Sequence, residues 1–481
     1  MVSDTPKLLL IDFLIVGGGI SGLACAVALR RVGHRVVVVE ADASINTENS
    51  GGCRMAPNLS KILYHWGLHE KLAPVALQSQ AIDLLLYETG EVLGSHVWDE
   101  EMLRDARGEF LFGHYGDLRK LLYEAAVDLG VHIRFSARVS SIDPDAGSVT
   151  LVSGERLTAD VIVGADGTLG MSRQLFDVDE PEPHNINMYS TTIPKAEILK
   201  DKALASYLYG QKYRSMFSWF GNGRLSLGFP LGGNKDFALF VYGPNDGRDG
   251  DWETEAPIAG MRRILEAAEP RLRKLGALAR PPICVPALDY PELEDWVHDS
   301  GRMVVIGEAA HPHPPGAIQT CAMAVEDGAV LAKLFSHLRA EDQIPNFLYA
   351  FENLRQPRCA AVTKKEFGDI FFMSLPPGEM QEMRDTMMRQ KRDAGRSALE
   401  SSGDAEETQE WTEIKVMFGY DAEDEADNWW QEWGVLRERA RGREVPCESF
   451  GNMIVVEQQE TSPTKATSIE SLRARFAGRR F

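Results

Sequence analysis

The apolar positions near the start of the chain fall into three successive rhythms. Phe13-Leu14-Ile15-Val16 is a continuous apolar run that ends in glycines, the pattern of a strand buried on both faces of a parallel sheet. Ser21 to Arg31 carries small and apolar residues at helical spacing, and Arg35-Val36-Val37-Val38-Val39 is a second β-branched run closing at Glu40. Together they predict a strand–helix–strand unit of the βαβ type. Leu8 to Leu29 is also apolar enough to suggest a signal peptide or anchor. Asp12 and Gly17-Gly18-Gly19 interrupt it, and residues 1–7 offer only Lys7 and the amino terminus as positive charge, so a soluble protein is expected.

The same textures recur further along. Leu118 to Leu129 predicts an amphipathic helix, Val131 to Phe135 the strand after it, and Val161-Ile162-Val163 a buried strand leading into Gly164-Ala165-Asp166-Gly167. Between Asn187 and Tyr242 the rhythm changes: Ser215–Phe220, Leu225–Leu231 and Phe237–Tyr242 predict strands separated by glycine-rich turns. That is an antiparallel meander inserted between parts of an α/β domain. Met303 to Ile306 returns to the parallel-strand texture, Ala322 to Leu338 predicts a long helix, and from Phe347 onward the chain reads as helical.

Gly17-x-Gly19-x-x-Gly22 lies between the first predicted strand and helix, with Glu40 ending the next strand. In that context each residue has a physical task. Gly17 permits the tight turn, Gly19 lets a pyrophosphate approach the backbone, and Gly22 allows close helix–strand packing. The helix start presents free N–H groups and partial positive charge to phosphates. Glu40 can accept hydrogen bonds from ribose hydroxyls, so the motif points to a dinucleotide without a 2′-phosphate. No second such motif follows a strand, which argues against a disulfide reductase with two nucleotide domains.

Composition narrows the partners. Of the 481 residues, 51 are Lys or Arg and 71 are Asp or Glu, a net charge of −20 that gains nothing from a phosphate backbone and excludes nucleic acid as a partner. The six cysteines show no C-x-x-C spacing, so a reducing, cytoplasmic location is expected. Glu400 to Asp427 holds eleven acidic residues against the single Lys415, the composition of a solvated surface, and the last residues form a polar, Arg-rich tail. His311-Pro312-His313, and His65 with His69, have no Cys or carboxylate partners at ligand spacing, and no metal is expected.

Two further stretches complete a pattern: Gly164-Ala165-Asp166-Gly167 with Arg173, and Gly307-Glu308-Ala309-Ala310-His311-Pro312 continuing to Gln319 and Glu326-Asp327-Gly328. With the N-terminal motif and the Ser50–Asn58 loop, the chain from Phe13 to Phe372 resembles the FAD-dependent aromatic hydroxylases, the para-hydroxybenzoate and salicylate hydroxylase superfamily of group A flavoprotein monooxygenases. The resemblance implies an α/β fold. A Rossmann-like FAD-binding domain would span residues 8–75, 113–180 and 286–372, with an inserted, mostly antiparallel substrate sheet over 76–112 and 181–285. A helical C-terminal region would follow over 373–456, then a disordered tail over 457–481.

It also implies site residues. Gly17, Gly19, Gly22 and Glu40 would hold the ADP half of a non-covalent FAD, and Asp166 with Gly167 would close over its pyrophosphate. Glu308 would meet the ribityl chain, Pro315 the flavin ring, and the backbone at Thr320 and Cys321 its pyrimidine end; Arg54 is taken with these cofactor contacts. This chain departs from the family pattern at Tyr115, commonly Arg, at Gly170, usually Ser, at Glu308, usually Asp, and at Thr320, usually Gly. The activity implied is monooxygenation: NADH or NADPH reduces the flavin, O₂ gives a flavin C4a-hydroperoxide, and one oxygen atom passes to the substrate. That substrate would be phenolic, polyketide-like or otherwise small and hydrophobic, in secondary metabolism or aromatic degradation.

Phe217, Trp219 and Phe229 in the meander, with Pro315, are the candidate substrate contacts, although sheet packing alone would also place aromatics there. No catalytic side chain is singled out, since the flavin carries the chemistry. A flavin-dependent reductase or desaturase, and a non-catalytic protein on the same scaffold, stay open as alternatives, as do monomer and homodimer.

Overall fold

The computed structural model describes residues 8–45, 51–398 (except 177, 211, 235, 246, 248, 249 and 253) and 409–436. Residues up to Gln431 form one compact unit. A second begins at Glu432, and its described residues 432–436 are helical. The expected tail over 457–481 lies outside the described residues.

The buried apolar runs assemble as their lack of polar alternation dictates. Five parallel strands stand in the order Met303–Val305, Val161–Gly164, Asp12–Val16, Arg35–Val39 and His132–Arg134. Helices Ile20–Arg31 and Thr320–Phe335 pack on this sheet and on each other, buried along nearly their whole lengths. Their backbones approach so closely that a Cβ on Gly328 would stand 2.8 Å from the Cα of Cys25. A second, three-stranded antiparallel sheet (Val139–Asp143, Ser148–Leu151, Arg156–Thr158) was not anticipated, because its half-exposed strands alternate too weakly to stand out.

The inserted sheet is larger than the meander suggested. Its seven strands run Ile283–Asp289, Glu182–Pro194, Asp236–Pro244, Leu225–Pro230, Ser215–Phe220, Ala81–Leu86 and Val92–Val97. Among these described strands the pairings are antiparallel except Ser215–Phe220 beside Ala81–Leu86. Both faces are covered. Phe217, Trp219, Phe237 and Leu239 face one way, packing with Leu204, Met261 and Leu272 from helices Lys202–Tyr209, Ile258–Leu265 and Pro270–Leu278. Met188, Met216, Leu227, Phe229, Phe240 and Tyr242 face the other way, toward Ala56 and Ile318 of the parallel-sheet layer.

The C-terminal region is helical over Ile344–Met373, Glu379–Asp393, Gln409–Gly419 and Ala422–Trp429. Of the acidic stretch, residues 400–408 lie outside the described residues. The remainder is less solvated than its composition implied. Asp421 caps the helix Ala422–Trp429 and pairs with Lys61 at 3.5 Å and Arg107 at 2.6 Å, while Glu423 pairs with His65. Those bases lie more than three hundred positions back in the chain, which is why local composition could not reveal them. No described helix is long and apolar enough to cross a membrane.

The close crossing at Gly328 yields a prediction. Gly328→Leu forces a side chain into the backbone of the facing helix and should cost about 1–3 kcal/mol or more of stability, read as a lower urea midpoint at unchanged slope.

Candidate functional site

The N-terminal glycines occupy the end of the central strand, where the backbone must reverse into a helix. Gly17 takes φ +108° and donates its N–H to Val39 O at 2.9 Å. A Cβ there would lie 2.3 Å from Ala165 O, so the first loop is pressed against the Asp166 loop. A Cβ on Gly22 would lie 2.0 Å from Gly17 O. Gly19 differs: nothing lies within 4 Å of where its Cβ would be. The helix Ile20–Arg31 starts beside that open space with no side-chain cap and no acid in its first turn, leaving its orphan N–H groups to meet an anion.

Glu40 is fixed by the same loop. One carboxylate oxygen accepts the Gly18 N–H at 2.6 Å and the other accepts the Asp42 N–H at 2.9 Å. Arg119 adds a clamp that the sequence did not reveal: its Nε donates to Gly18 O at 2.9 Å and its Nη2 stands 3.3 Å from Glu40. It lies one helical turn beyond Tyr115, whose own side chain is exposed.

Asp166 and Gly167 follow the adjacent strand. Asp166 accepts the Ser172 N–H at 3.0 Å through one oxygen, and burial pushes its carboxyl up. Its other oxygen, Oδ1, is buried without a hydrogen-bond partner. A Cβ on Gly170 would meet that carboxyl at 2.2 Å, which accounts for glycine where the family has serine. Arg173 ties this loop to the next, donating to Ala309 O at 3.0 Å and Pro291 O at 2.8 Å. Across that link Glu308 is half-buried, and burial pushes its carboxyl up as well.

Behind Glu308 lies a buried ionic network. His311 Nε2 stands 2.6 Å from Asp327 Oδ2, and His311 Nδ1 stands 3.3 Å from His313 Nε2. Burial opposes charge on His311, but Asp327 outweighs it and raises the ring to about 10; burial and the charged His311 push His313 down to about 3. Burial likewise opposes charge on Asp327, yet His311 and Arg355 hold it at about 2. His311, Asp327 and Cys359 bring candidate ligand atoms within 4.8 Å of one another. Arg355 already supplies the positive charge there, donating to Asp327 Oδ1 at 2.8 Å and to Cys359 Sγ at 3.6 Å.

Helix Thr320–Phe335 opens onto the same space. The Gln319 N–H is taken by Glu366 at 3.0 Å, and the amides of the first turn, at Thr320 and Cys321, have no intrahelical acceptor. The Cys321 thiol contacts Cys53, and that contact with burial keeps Cys53 well above the ordinary thiol range, so Cys53 is a packing residue.

The substrate candidates divide between the two faces of the inserted sheet. Phe229 lies on the face toward the motifs, with Phe240 and Tyr242, and the Tyr242 hydroxyl donates to Pro315 O at 2.8 Å. Phe217 and Trp219 are turned away beneath the helices, so the expectation that they sit beside the motifs is corrected. The strand Ser215–Phe220 is buried on both faces, so nothing in its pattern marked which side meets the site. Met216 and Ser218 hold the site-facing positions. Arg54, expected among the cofactor contacts, directs its guanidinium to Gly316 O and over the Phe229 and Phe240 rings.

Residues 11–366 match the family model of the FAD binding domain. The chain belongs to this FAD-binding family. It is 28% identical over 427 residues to FAD-dependent monooxygenase OpS4 of Beauveria bassiana (strain ARSEF 2860), spanning 87% of this chain and 97% of that protein. It is 27% identical over 384 residues to 3-amino-4-hydroxybenzoate 2-monooxygenase PtmB3 of Streptomyces platensis, spanning 78% and 91% respectively. The crystal structure of CtdE in complex with FAD and a substrate shares the fold at TM-score 0.72 and 20% identity, covering 89% of this chain and 100% of that one. The protein is thus an FAD-dependent monooxygenase. The open space at Gly19, the two uncapped helix starts and the unpartnered Asp166 oxygen together suit a bound dinucleotide.

Two predictions arise from this geometry. Gly19→Ala should change stability by no more than a few tenths of a kcal/mol yet weaken FAD binding by about tenfold, whereas Gly22→Ala should cost about 1–3 kcal/mol of stability. Denaturation of the apoprotein and FAD titration separate the two effects. The second concerns pH. His311 contributes its stabilisation fully below 6.5 and loses it as pH rises through about 10, while Asp327 contributes above 3.8 and loses it as pH falls through about 2. Asp327→Asn should therefore destabilise by about 3–5 kcal/mol at neutral pH and flatten the alkaline fall in Tm.

Proposed function

We propose that this monooxygenase uses NADH or NADPH and O₂ to place one oxygen atom on a phenolic, polyketide-like or other small hydrophobic molecule, by hydroxylation or epoxidation. FAD, when bound, supplies electron transfer from nicotinamide to O₂ and the oxygen transfer itself. Gly17, Gly19, Gly22 and Glu40, braced by Arg119, would hold its adenosine end. Asp166 and Gly167 would hold the pyrophosphate, Glu308 the ribityl chain, and Pro315 with the Thr320 and Cys321 amides the ring. Peptide N–H groups at a helix start suit negative charge on a reduced ring.

The observation that carries the reading is the seam between the two layers. Tyr242 on the inserted sheet hydrogen-bonds to Pro315 O, so an apolar wall of Phe229, Phe240 and Met216 meets the loop assigned to the flavin ring. Such a wall orients an apolar substrate and keeps water from a reactive oxygen donor. The hydroxybenzoate in the name of the Streptomyces relative supports an aromatic substrate. The described cysteines are unpaired and buried, which suits the reducing cytoplasm where we place the enzyme.

The test is direct. The purified protein should show flavin absorption bands and oxidise NADH or NADPH under air faster with a suitable phenol present. Mass spectrometry with ¹⁸O₂ should find one labelled oxygen in the product. Nicotinamide oxidation indifferent to every phenol, with no heavier product, would overturn the reading.

A further inference from the structure

Glu366 stands behind the helix start assigned to the flavin ring. It lies on the long helix Ile344–Met373, is 6% exposed, and accepts the Gln319 N–H at 3.0 Å. Gln319 immediately precedes the helix Thr320–Phe335, so this carboxyl occupies the positive end of that helix from within the protein. A reduced ring bearing negative charge would draw on the same end from the open side. Two anions sharing one helix start in a buried setting repel each other, and a proton on the carboxyl relieves the conflict.

The charges around Glu366 leave it near the balance between its two forms. From the strand Gly52–Met55 comes Arg54, also buried, which favours the carboxylate. From its own helix comes Asp369, one turn along, which opposes ionisation and is itself paired with Lys365. Glu413 of the helix Gln409–Gly419 acts on Asp369, and Tyr242 of the inserted sheet feels both Arg54 and Glu366. His313 bonds Thr363, one turn before Glu366, and is held neutral by burial and by the charge on His311. Burial and Asp369 outweigh Arg54 and the Ile318 and Gln319 amides, and push Glu366 up to about 7.

We propose that Glu366 takes up a proton when the bound flavin is reduced, so that a carboxyl behind the helix start helps to set the cofactor's reduction potential. This rests on the ring position given above and deepens it. A hydride delivers two electrons and one proton to the ring, which becomes anionic, and one further proton from water joins the Glu366 carboxylate. Reoxidation releases that proton. The coupling is reciprocal: reduction favours protonation, and protonation favours reduction. Glu366 acts through the Gln319–Thr320 backbone and is a positioning residue.

The test uses FAD-loaded protein without oxygen or substrate, and measures the two-electron reduction potential with dithionite and reference dyes across neutral and mildly alkaline pH. One proton per two electrons changes the equilibrium tenfold per pH unit, about 30 mV. Uptake at Glu366 adds up to a second tenfold, so the wild-type slope should steepen toward about 60 mV per pH unit above neutral pH. Glu366→Gln should keep the shallower slope throughout, and its potential should lie above the wild type's at alkaline pH. Asp369→Asn removes a charge that opposes ionisation and should move the steep window to lower pH. Reduced-minus-oxidised infrared spectra of the wild type should show the carbonyl band of a newly protonated carboxylic acid, absent in Glu366→Gln.

A wild-type slope that never exceeds one proton per two electrons, an extra proton that survives in Glu366→Gln, or no acid band on reduction would each overturn the proposal. A residue that only braced the helix would change the stability of the Gln variant and leave the slope alone. Because potentials are measured without turnover, the two readings fail separately. A coupled proton with no oxygenated product would fail the monooxygenase reading, and product formation with a one-proton slope would fail this one.

Discussion

The Arg355 guanidinium, wholly buried on the long helix Ile344–Met373, lies where three loops of the site converge. It donates to Glu326 Oε2 at 2.7 Å and to Asp327 Oδ1 at 2.8 Å, both on the helix whose first turn opens the site. Asp327 in turn accepts the Gly307 N–H at 2.8 Å and holds His311, fixing the Glu308 loop. Glu326 accepts from Asn58 at 2.7 Å, and the same Asn58 amide reaches Gln319 at 2.9 Å. Burying these ions costs several kcal/mol each, a cost offset only when every lone pair and proton is matched. Here Asp327 ties the Gly307 backbone to His311 and Arg355, and Glu326 ties Asn58 to Arg355, so the network sets geometry more than it adds stability.

That circuit determines how the two layers of the site differ. On the side of the glycine motifs the surface is built from backbone: glycines that admit close approach, amides at helix starts, and carboxylates that hold loop N–H groups. On the substrate side the surface is apolar and shaped by side chains, with Tyr242 and Arg54 as its polar links to the Pro315–Gly316 loop. The first arrangement suits a ligand that never changes, the second a surface that can be reshaped one side chain at a time.

The dinucleotide half was legible because its signals are local. Strand, glycine turn, helix and terminal Glu40 occupy one short stretch, and Gly17 and Gly22 answer to immediate steric needs. Arg119 was not legible, since its partner Gly18 lies 101 positions away, and neither was Asn58, 268 positions from Glu326. Their residue types are common on ordinary helix surfaces, and only the folded chain shows that they are clamps. The inserted sheet was legible as strands but not as faces. Phe217 and Trp219 looked like pocket aromatics because strand Ser215–Phe220 is apolar on both sides, and alternation carries information only where one side is polar.

This division explains how little identity the fold requires. CtdE shares the architecture at TM-score 0.72 with 20% identity. Backbone-mediated sites tolerate such divergence because an N–H or a carbonyl is the same whichever side chain it carries, so only the few glycines and loop-holding acids are constrained. A buried ionic network is less forgiving, because losing one member strands another charge in a low-dielectric interior. It follows that Arg355, Glu326 and Asp327 must change together or not at all, while Met216, Phe229 and Phe240 can vary singly at the cost of a reshaped pocket.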